Sequence, residues 1–227
     1  MEKQTVSGLF EKASSHLMVG PPASGKTFRL EQILRHRRTL FVGGGDIANV
    51  VFCYAAWQDI YDTMQRDNIV TRWVNKMPTQ DEFVELVEPY KDRGGSIVVL
   101  DDFMGQINQT MVELVTVLAR HNNASIFLLF QSLFPANPLA RQISLNVKYI
   151  HVHKNPRENA QLQFLARQLQ PGDFKWIVKA YHDTTKEPYT SFLIDLQQQT
   201  PEVMRFRTAY LPSEKPMRAY VKKGGRL

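Results

Sequence analysis

A chain of 227 residues, 43% of them hydrophobic and with a formal net charge of +6, is long enough to bury one α/β domain and too short for two large ones. No apolar run approaches the ~18 to 20 residues of a membrane-spanning helix, and the amino terminus lacks the apolar run of a secretion signal. Cys53 is the only cysteine, which excludes an intrachain disulfide and a thiolate metal site, so we expect a reducing, intracellular setting.

The first predicted strand, residues 17–19, leads into a glycine-rich loop, Gly20-Pro21-Pro22-Ala23-Ser24-Gly25-Lys26-Thr27. The loop fits the phosphate-binding pattern G-x-x-x-x-G-K-[ST] at every fixed position. Its two glycines let successive N–H groups face the phosphates of a nucleotide, and the positive end of the following helix adds to that field. Lys26 is predicted to reach the β- and γ-phosphates, and the Thr27 hydroxyl to bind Mg²⁺. The alternative is a glycine-rich turn that binds nothing.

The next predicted elements are helix 26–37, strand 39–42 ending at three glycines, strand 50–54, helix 57–65 and a helix beginning at 78–79 and ending near 91. In the first helix, Leu30, Ile33 and Leu34 recur at helical spacing and are predicted to be buried. In the last, Thr79 and Glu82 have the spacing of a capping box.

An unbroken aliphatic run within residues 96–100 is followed by Asp101 and Asp102. Such a run is typical of a buried parallel strand, and carboxylates at its end lie at the edge where α/β sheets bind ligands. This is the pattern of a Walker B strand. Asp101 is predicted to hold Mg²⁺, and Asp102 to accept a proton from the attacking water. Alternatively, the two acidic residues only begin a loop.

A helix over 106–121 and a buried strand over 125–130 come next, and the strand ends in Gln131. An amide at the tip of a central strand is costly unless it has a partner. A γ-phosphate or its water would serve, so we interpret Gln131 as a sensor. The alternative is an amide satisfied by neighbouring backbone.

Arg157 lies at another predicted helix start, after a short helix at 139–143 and a strand at 149–152. Asn155 as cap, Pro156 at the first position and Glu158 at the third predict a helix that runs to about residue 170. A cation in this first turn is disfavoured by the helix dipole. Arg157 therefore needs an anion, for which a nucleotide phosphate of a neighbouring subunit is a candidate.

A helix over 174–181 and strands over 191–196 and 205–211 complete the folded part. The alternation of strands and helices predicts an α/β fold with a mostly parallel sheet and helices on both faces. We divide the chain into a P-loop ATPase domain, 1–212, and a basic tail, 213–227. Residues 205–227 hold seven basic residues against one acidic residue, which suits contact with nucleic acid phosphates. Alternatively, this segment aids solubility or docks on another protein.

The chain resembles the viral DNA-packaging ATPases of the FtsK/HerA superfamily. It is most similar to those of Polinton-like elements and adintoviruses, and more distantly to those of poxviruses and tectiviruses. The resemblance extends from the P-loop to about Pro212. Among the matching runs are Val99-Leu100-Asp101-Asp102-Phe103, Gln131-Ser132-Leu133-Phe134, Arg141-Gln142-Ile143-Ser144-Leu145-Asn146, Lys154-Asn155-Pro156-Arg157 and Leu165-Ala166-Arg167-Gln168. Departures from the family pattern are Arg120-His121-Asn122-Asn123, Ser132 and Thr190-Ser191-Phe192.

This resemblance implies a RecA/FtsK-HerA-like fold and an Mg²⁺-dependent ATPase that pulls double-stranded DNA, irrespective of sequence, into a preformed capsid. It also implies a homo-oligomeric ring, contact with capsid or portal vertex proteins, no membrane span, and a location at the virion vertex and in the host cell during assembly. One subunit would complete another's site with an arginine; Arg141, Arg157 and Arg167 are the candidates, and a surface ion pair is the alternative for each. Two other functions remain open: a P-loop nucleoside or nucleotide kinase, and an ATP-dependent DNA-binding or capsid-vertex scaffold that binds ATP without turnover.

Overall fold

The computed structural model describes residues 9–43, 46–157, 159–214 and 216–222. Within these residues the strands are β1 (Ser15–Val19), β2 (Asn49–Tyr54), β3 (Arg72–Val74), β4 (Ser96–Asp101), β5 (Ala124–Phe130), β6 (Tyr149–His153), β7 (Ser191–Asp195), β8 (Phe206–Thr208) and β9 (Arg218–Ala219). The α-helices are α1 (Lys26–Arg35), α2 (Arg37–Leu40), α3 (Asp59–Arg66), α4 (Gln80–Val87), α5 (Gln109–Glu113), α6 (Ala119–His121), α7 (Pro138–Asn146), α8 (Asn159–Leu169) and α9 (Lys175–Thr184). A π-helical turn, Leu114–Leu118, joins α5 to α6. In the described part of the chain, no helix has both the length and the apolar composition needed to cross a membrane.

The strands form one sheet in the order β3-β2-β4-β5-β1-β6-β7-β8-β9. From β3 to β6 every neighbouring pair is parallel, and from β6 to β9 every pair is antiparallel. The predicted mostly parallel sheet is therefore confirmed. Because β4, β5 and β1 are adjacent and parallel, the residues that follow them meet at one edge.

The sheet is covered by helices on both faces, as predicted. Successive strand residues point to opposite faces, so Leu17 and Val19 join one hydrophobic cluster and Met18 the other. Buried residues of α4, α5, α7, α8 and α9 pack into the first cluster, and those of α1 and α3 into the second. The phosphate loop and α1 are thus supported by packing against the central strands.

Local sequence signals were reliable in α1 and α4. Leu30, Ile33 and Leu34 of α1 are fully buried, as their spacing predicts. The capping box of α4 is present: the backbone N–H of Glu82 donates to the Thr79 hydroxyl, and the Glu82 carboxylate accepts from the Thr79 N–H.

The predicted strand over 39–42 was wrong. The chain continues from α1 into the short helix α2, and only Phe41 makes an isolated parallel bridge, to Phe10. Arg37 favours the helical path, because its guanidinium donates to the carbonyls of Leu34 and Ile47. The second and third glycines predicted to end this strand lie outside the described residues.

The predicted helix start at 155–156 was also wrong. The Asn155 carboxamide accepts the backbone N–H of Arg157 at 3.0 Å, which closes a turn, and α8 begins at Asn159. Arg157 thus lies before the helix and not in its first turn. Glu158, the third member of the predicted capping signal, lies outside the described residues.

Part of the predicted basic tail packs on the domain. Arg218 and Ala219 form β9, which pairs with β8. Glu214 accepts a hydrogen bond from the buried Arg29 of α1 at 2.5 Å. The tail cations Lys215, Lys223 and Arg226 lie outside the described residues, as do residues 1–8. The division of the chain at residue 212 stays a prediction.

Candidate nucleotide-binding site

A cleft of about 490 Å³ opens at the edge where β1, β4 and β5 end. It is lined by residues 22–27 of the glycine-rich loop, by Asp101 at the end of β4 and Asp102 after it, and by Gln131 after β5. The structure thus brings together the predicted residues of three separate chain segments. Gly20 and Pro21 take part through their carbonyl groups, which accept hydrogen bonds from Lys26.

The two glycines of the loop are needed for its shape. A Cβ on Gly20 would lie 2.6 Å from the Ser24 hydroxyl oxygen and 2.8 Å from the Cβ of His153. Gly25 has φ +91°, a conformation that favours glycine, and a Cβ there would lie 2.8 Å from the Tyr189 ring. Larger residues at either position would force the loop open.

The amino terminus of α1 is suited to an external anion. Its cap is Gly25, no side chain caps it, and its first turn contains no acidic residue. The positive end of the helix dipole is therefore not neutralised by the cap or the first turn of α1 itself. The Ser24 hydroxyl beside it is buried without a hydrogen-bond partner among the described residues. These features fit the phosphates of a nucleotide.

Lys26 is positioned between the loop and the acidic pair. Its ammonium group donates to the carbonyls of Gly20 at 2.6 Å and Pro21 at 3.0 Å. Burial lowers the Lys26 pKa, and the charges of Asp101 and Asp102 oppose that shift. The ammonium group is thus oriented next to the place where the loop would hold phosphate oxygens.

Asp101 is buried and hydrogen-bonded to a residue that the sequence pattern did not single out for the site. Its Oδ2 accepts the Tyr61 hydroxyl at 2.7 Å. Burial raises the pKa of Asp101 to about 6, although the Tyr61 hydrogen bond and the Lys26 charge pull it down. Burial and then Asp101 raise the pKa of Tyr61, so its hydroxyl keeps its proton. Tyr61 therefore fixes one carboxylate oxygen of Asp101 in place.

Replacing Asp101 with asparagine should stabilise the protein in the absence of nucleotide and Mg²⁺. The raised pKa means that ionisation above pH 6 costs the folded state on the order of 2 to 3 kcal/mol relative to the unfolded chain. Asparagine removes this cost and still accepts the Tyr61 hydrogen bond. Asp101→Asn should therefore melt roughly 5 to 10 °C above the wild type at pH 8 in a thermal unfolding experiment.

The difference in melting temperature between Asp101→Asn and the wild type should shrink as the pH falls from 6 towards 4, which is about the pKa of this carboxyl in the unfolded chain. At pH 5 the difference should be about half of that at pH 8. Asp92→Asn, at an exposed aspartate before the same strand, is the matched control and should melt like the wild type. A wild type that is more stable than Asp101→Asn at pH 8 would contradict the argument.

Asp102 and Gln131 both reach the cleft with exposed side chains. Asp102 leaves β4 with φ +66°, in the left-handed region that aspartate tolerates better than most residues. Gln131 was predicted to be a sensor because a buried amide needs a hydrogen-bond partner. Its side chain is exposed, so that reason was wrong. Its position at the cleft is the observation that still supports a sensor role.

The three candidate arginines lie elsewhere, and among the described residues none of them lines the cleft of its own chain. Arg141 borders a second groove of about 610 Å³ between α7 and α8. Arg157 is exposed in the turn before α8, and the Arg167 guanidinium lies 4.6 Å from the centre of the Phe174 ring. Each would reach a nucleotide only in another copy of the chain.

Sequence patterns missed several residues beside the loop. His153 is buried, and its Nδ1–H donates to the Ser24 carbonyl at 3.2 Å. Burial, with the charges of Arg29 and Lys26, lowers its pKa to about 3, so it supports the loop as a neutral ring. Phe28 and Tyr189 line the cleft. Tyr189 directly precedes Thr190-Ser191-Phe192, a departure from the family pattern, and that departure was the only sequence signal near it.

No protein family and no curated protein matches the chain in sequence. Among solved structures, the DNA-packaging ATPase B204 from Sulfolobus Turreted Icosahedral Virus matches with a TM-score of 0.53 and 14% identity, over 83% of this chain and 95% of that one. The chain therefore shares its fold, a mostly parallel sheet with helices on both faces, with this protein. A KaiC-like protein from Pyrococcus horikoshii OT3 matches with a TM-score of 0.48 and 9% identity, over 92% of this chain and 91% of that one.

Proposed function

We propose that the protein is an ATPase. The observation that carries the proposal is the convergence on one cleft of the glycine-rich loop, the Asp101–Asp102 pair and Gln131, each at the end of one of three adjacent parallel strands. A loop with this pattern binds the phosphates of nucleotides, and the acidic pair supplies oxygen ligands and a proton acceptor.

Each group has a distinct part in the proposed reaction. The backbone N–H groups of the loop and of α1 hold the phosphates, and Lys26 offsets charge on the β- and γ-phosphates. Thr27 and Asp101 would hold Mg²⁺, which withdraws charge from the phosphate oxygens when it is bound. Asp102 orients the attacking water and accepts its proton, and Gln131 contacts the γ-phosphate or that water.

We further propose that hydrolysis drives viral double-stranded DNA into a preformed capsid. Support comes from the resemblance of the sequence to viral packaging ATPases and from the fold shared with B204, itself described as a DNA-packaging ATPase. In this proposal the chain works as a homo-oligomeric ring on a portal or capsid vertex, with residues 1–212 as the motor and 213–227 as a basic tail that contacts DNA.

An ATPase assay with and without long duplex DNA, together with a mass measurement of the assembled particle, tests this function. We expect phosphate release without any acceptor substrate, stimulation by DNA, and a mass several times that of one chain. Phosphate transfer that requires an acceptor would indicate a kinase. ATP binding without phosphate release under every condition would indicate a scaffold.

If the basic tail contacts DNA, removing the positive charges of the tail should lower the affinity of the protein for duplex DNA, and the loss should depend on the salt concentration. Truncation would also remove Glu214 and its ion pair with Arg29, so substitutions are the cleaner test. The test variant changes four tail cations to glutamine: Arg218, Lys222, Lys223 and Arg226. Affinity for duplex DNA should fall, and the slope of log affinity against log salt should become shallower by about 0.9 for each DNA phosphate that the variant no longer neutralises.

The matched control replaces four exposed cations with glutamine: Arg66, Arg72, Lys91 and Arg93. These residues lie in α3, in β3 and in the turn before β4. The sheet order puts β3 and β9 at opposite edges, so this control removes equal charge from another surface. Both variants would be titrated with duplex DNA over a range of salt concentrations. Equal slopes for the two variants would show that the tail does not contact the DNA.

A further inference from the structure

Two large aromatic side chains lie exposed at the mouth of the cleft. Phe28, which directly follows the glycine-rich loop, is 46% exposed, and Tyr189 is 58% exposed. Their ring centres lie 6.3 Å apart with the planes tilted by 56°, and both rings line the cleft. The pair therefore presents apolar ring surface to whatever occupies the cleft.

Tyr189 is held in place from two sides. Its carbonyl accepts a hydrogen bond from the guanidinium of Arg29, a buried residue of α1, at 2.9 Å. Its ring lies against Gly25, where any Cβ would be only 2.8 Å from the ring. Its φ of +60° is an outlier for a bulky residue, so the surroundings determine this conformation. The ring is thus fixed at the loop although its side chain faces solvent.

The sheet order puts the aromatic pair and the acidic pair on opposite sides of the loop. Asp101 ends β4, Asp102 follows it, and Gln131 follows β5; β4 and β5 both lie on one side of β1. Tyr189 precedes β7, which lies beyond β6 on the other side of β1. Because β7 is antiparallel to β6, with Ser191 opposite His153, the start of β7 lies at the same edge as the end of β1.

We propose that Phe28 and Tyr189 form the subsite for the base of ATP, an assignment that rests on the proposed ATPase function. A triphosphate lying across the loop has its γ-phosphate at the acidic pair and Gln131. Its base then extends in the other direction, towards the two rings. Aromatic side chains bind bases by stacking, which uses the flat face that every base has.

Direct binding measurements on the full chain with Mg²⁺ test the subsite, with ATP and inorganic tripolyphosphate as the two probes. The wild type should bind ATP at least ~10-fold more tightly than tripolyphosphate, because only ATP has a base to stack. Tyr189→Ala should weaken ATP binding by roughly 5- to 100-fold and leave tripolyphosphate binding unchanged. The variant keeps the carbonyl that Arg29 binds. Tyr189→Phe should behave like the wild type.

Phe28→Ala provides a second, independent substitution and should show the same selective loss. Phe164→Ala is the matched control, because Phe164 is 52% exposed in the second groove and away from the cleft. The subsite is refuted if Tyr189→Ala and Phe28→Ala both bind ATP like the wild type, or if they lose ATP and tripolyphosphate to the same extent. A wild-type chain that binds neither probe would instead refute the proposed nucleotide site itself.

Discussion

An Arg157→Ala variant should bind ATP like the wild type but hydrolyse it about 10³ to 10⁵ times more slowly once assembled, the range expected for an arginine supplied in trans. Arg157 is exposed and does not line its own cleft. The turn that presents it is well anchored: Asn155 accepts the Arg157 backbone N–H, and the Tyr181 hydroxyl accepts the backbone N–H of Asn155 at 2.9 Å. A rigid turn with an exposed guanidinium is suited to reach a neighbouring site.

Mixing two inactive variants separates this role from a structural one. A Lys26→Ala subunit has a defective site but an intact Arg157, and an Arg157→Ala subunit has the reverse. Mixed rings should regain part of the turnover, because some intact sites then face an intact arginine. Binding of ATP and the assembled mass are measured in parallel.

Arg141→Ala and Arg167→Ala are the matched controls for this experiment. We expect both to keep most of the turnover, since Arg141 borders the second groove and Arg167 packs on Phe174. Arg157→Lys should remain slow, because an ammonium does not reproduce the fork of donors of a guanidinium. Unchanged turnover in assembled Arg157→Ala protein, or no recovery on mixing, would remove Arg157 from the role.

Asp102→Asn should keep ATP binding and reduce hydrolysis by about 10² to 10⁴, the usual contribution of a positioned general base. Asparagine has nearly the same shape and also tolerates the left-handed conformation of this residue, so the backbone at the end of β4 should not change. Measured single-turnover hydrolysis and ATP affinity would separate chemistry from binding.

Asp92→Asn again serves as the control, because Asp92 is an exposed aspartate before β4 and so at the opposite end of the strand from Asp102. Its hydrolysis rate should match the wild type. Hydrolysis by Asp102→Asn at the wild-type rate would show that another group orients the water. A hydrolysis-deficient Asp102→Asn variant that keeps the protein's biological function would favour the scaffold, because a motor should stall.

Predictions from sequence succeeded where the cause of a structure is local. The glycine-rich loop, the capping box of α4 and the buried runs of β4 and β5 depend on residues close together in the chain. The same reasoning failed at Asn155, because an asparagine side chain can either cap a helix or close a turn with the residue two positions on. The local pattern is identical in both cases, and packing decides between them.

Contacts between distant parts of the chain explain what the sequence did not show. Tyr61 meets Asp101 across 40 positions, and Tyr189 meets Gly25 across an even longer separation. No spacing rule links such pairs, because they are brought together by the order of strands in the sheet. The edge strand β3 was missed for a similar reason: it has three residues, and its Trp73 packs on Phe52 of β2.

The ion pair between Arg29 and Glu214 gives the carboxyl-terminal segment a mechanical connection to the phosphate loop. Arg29 lies two positions after Thr27 on α1, and it also holds the backbone of Tyr189. A change in this segment that broke the ion pair would therefore also affect the helix that begins at Gly25 and the Tyr189 ring that lies against the loop.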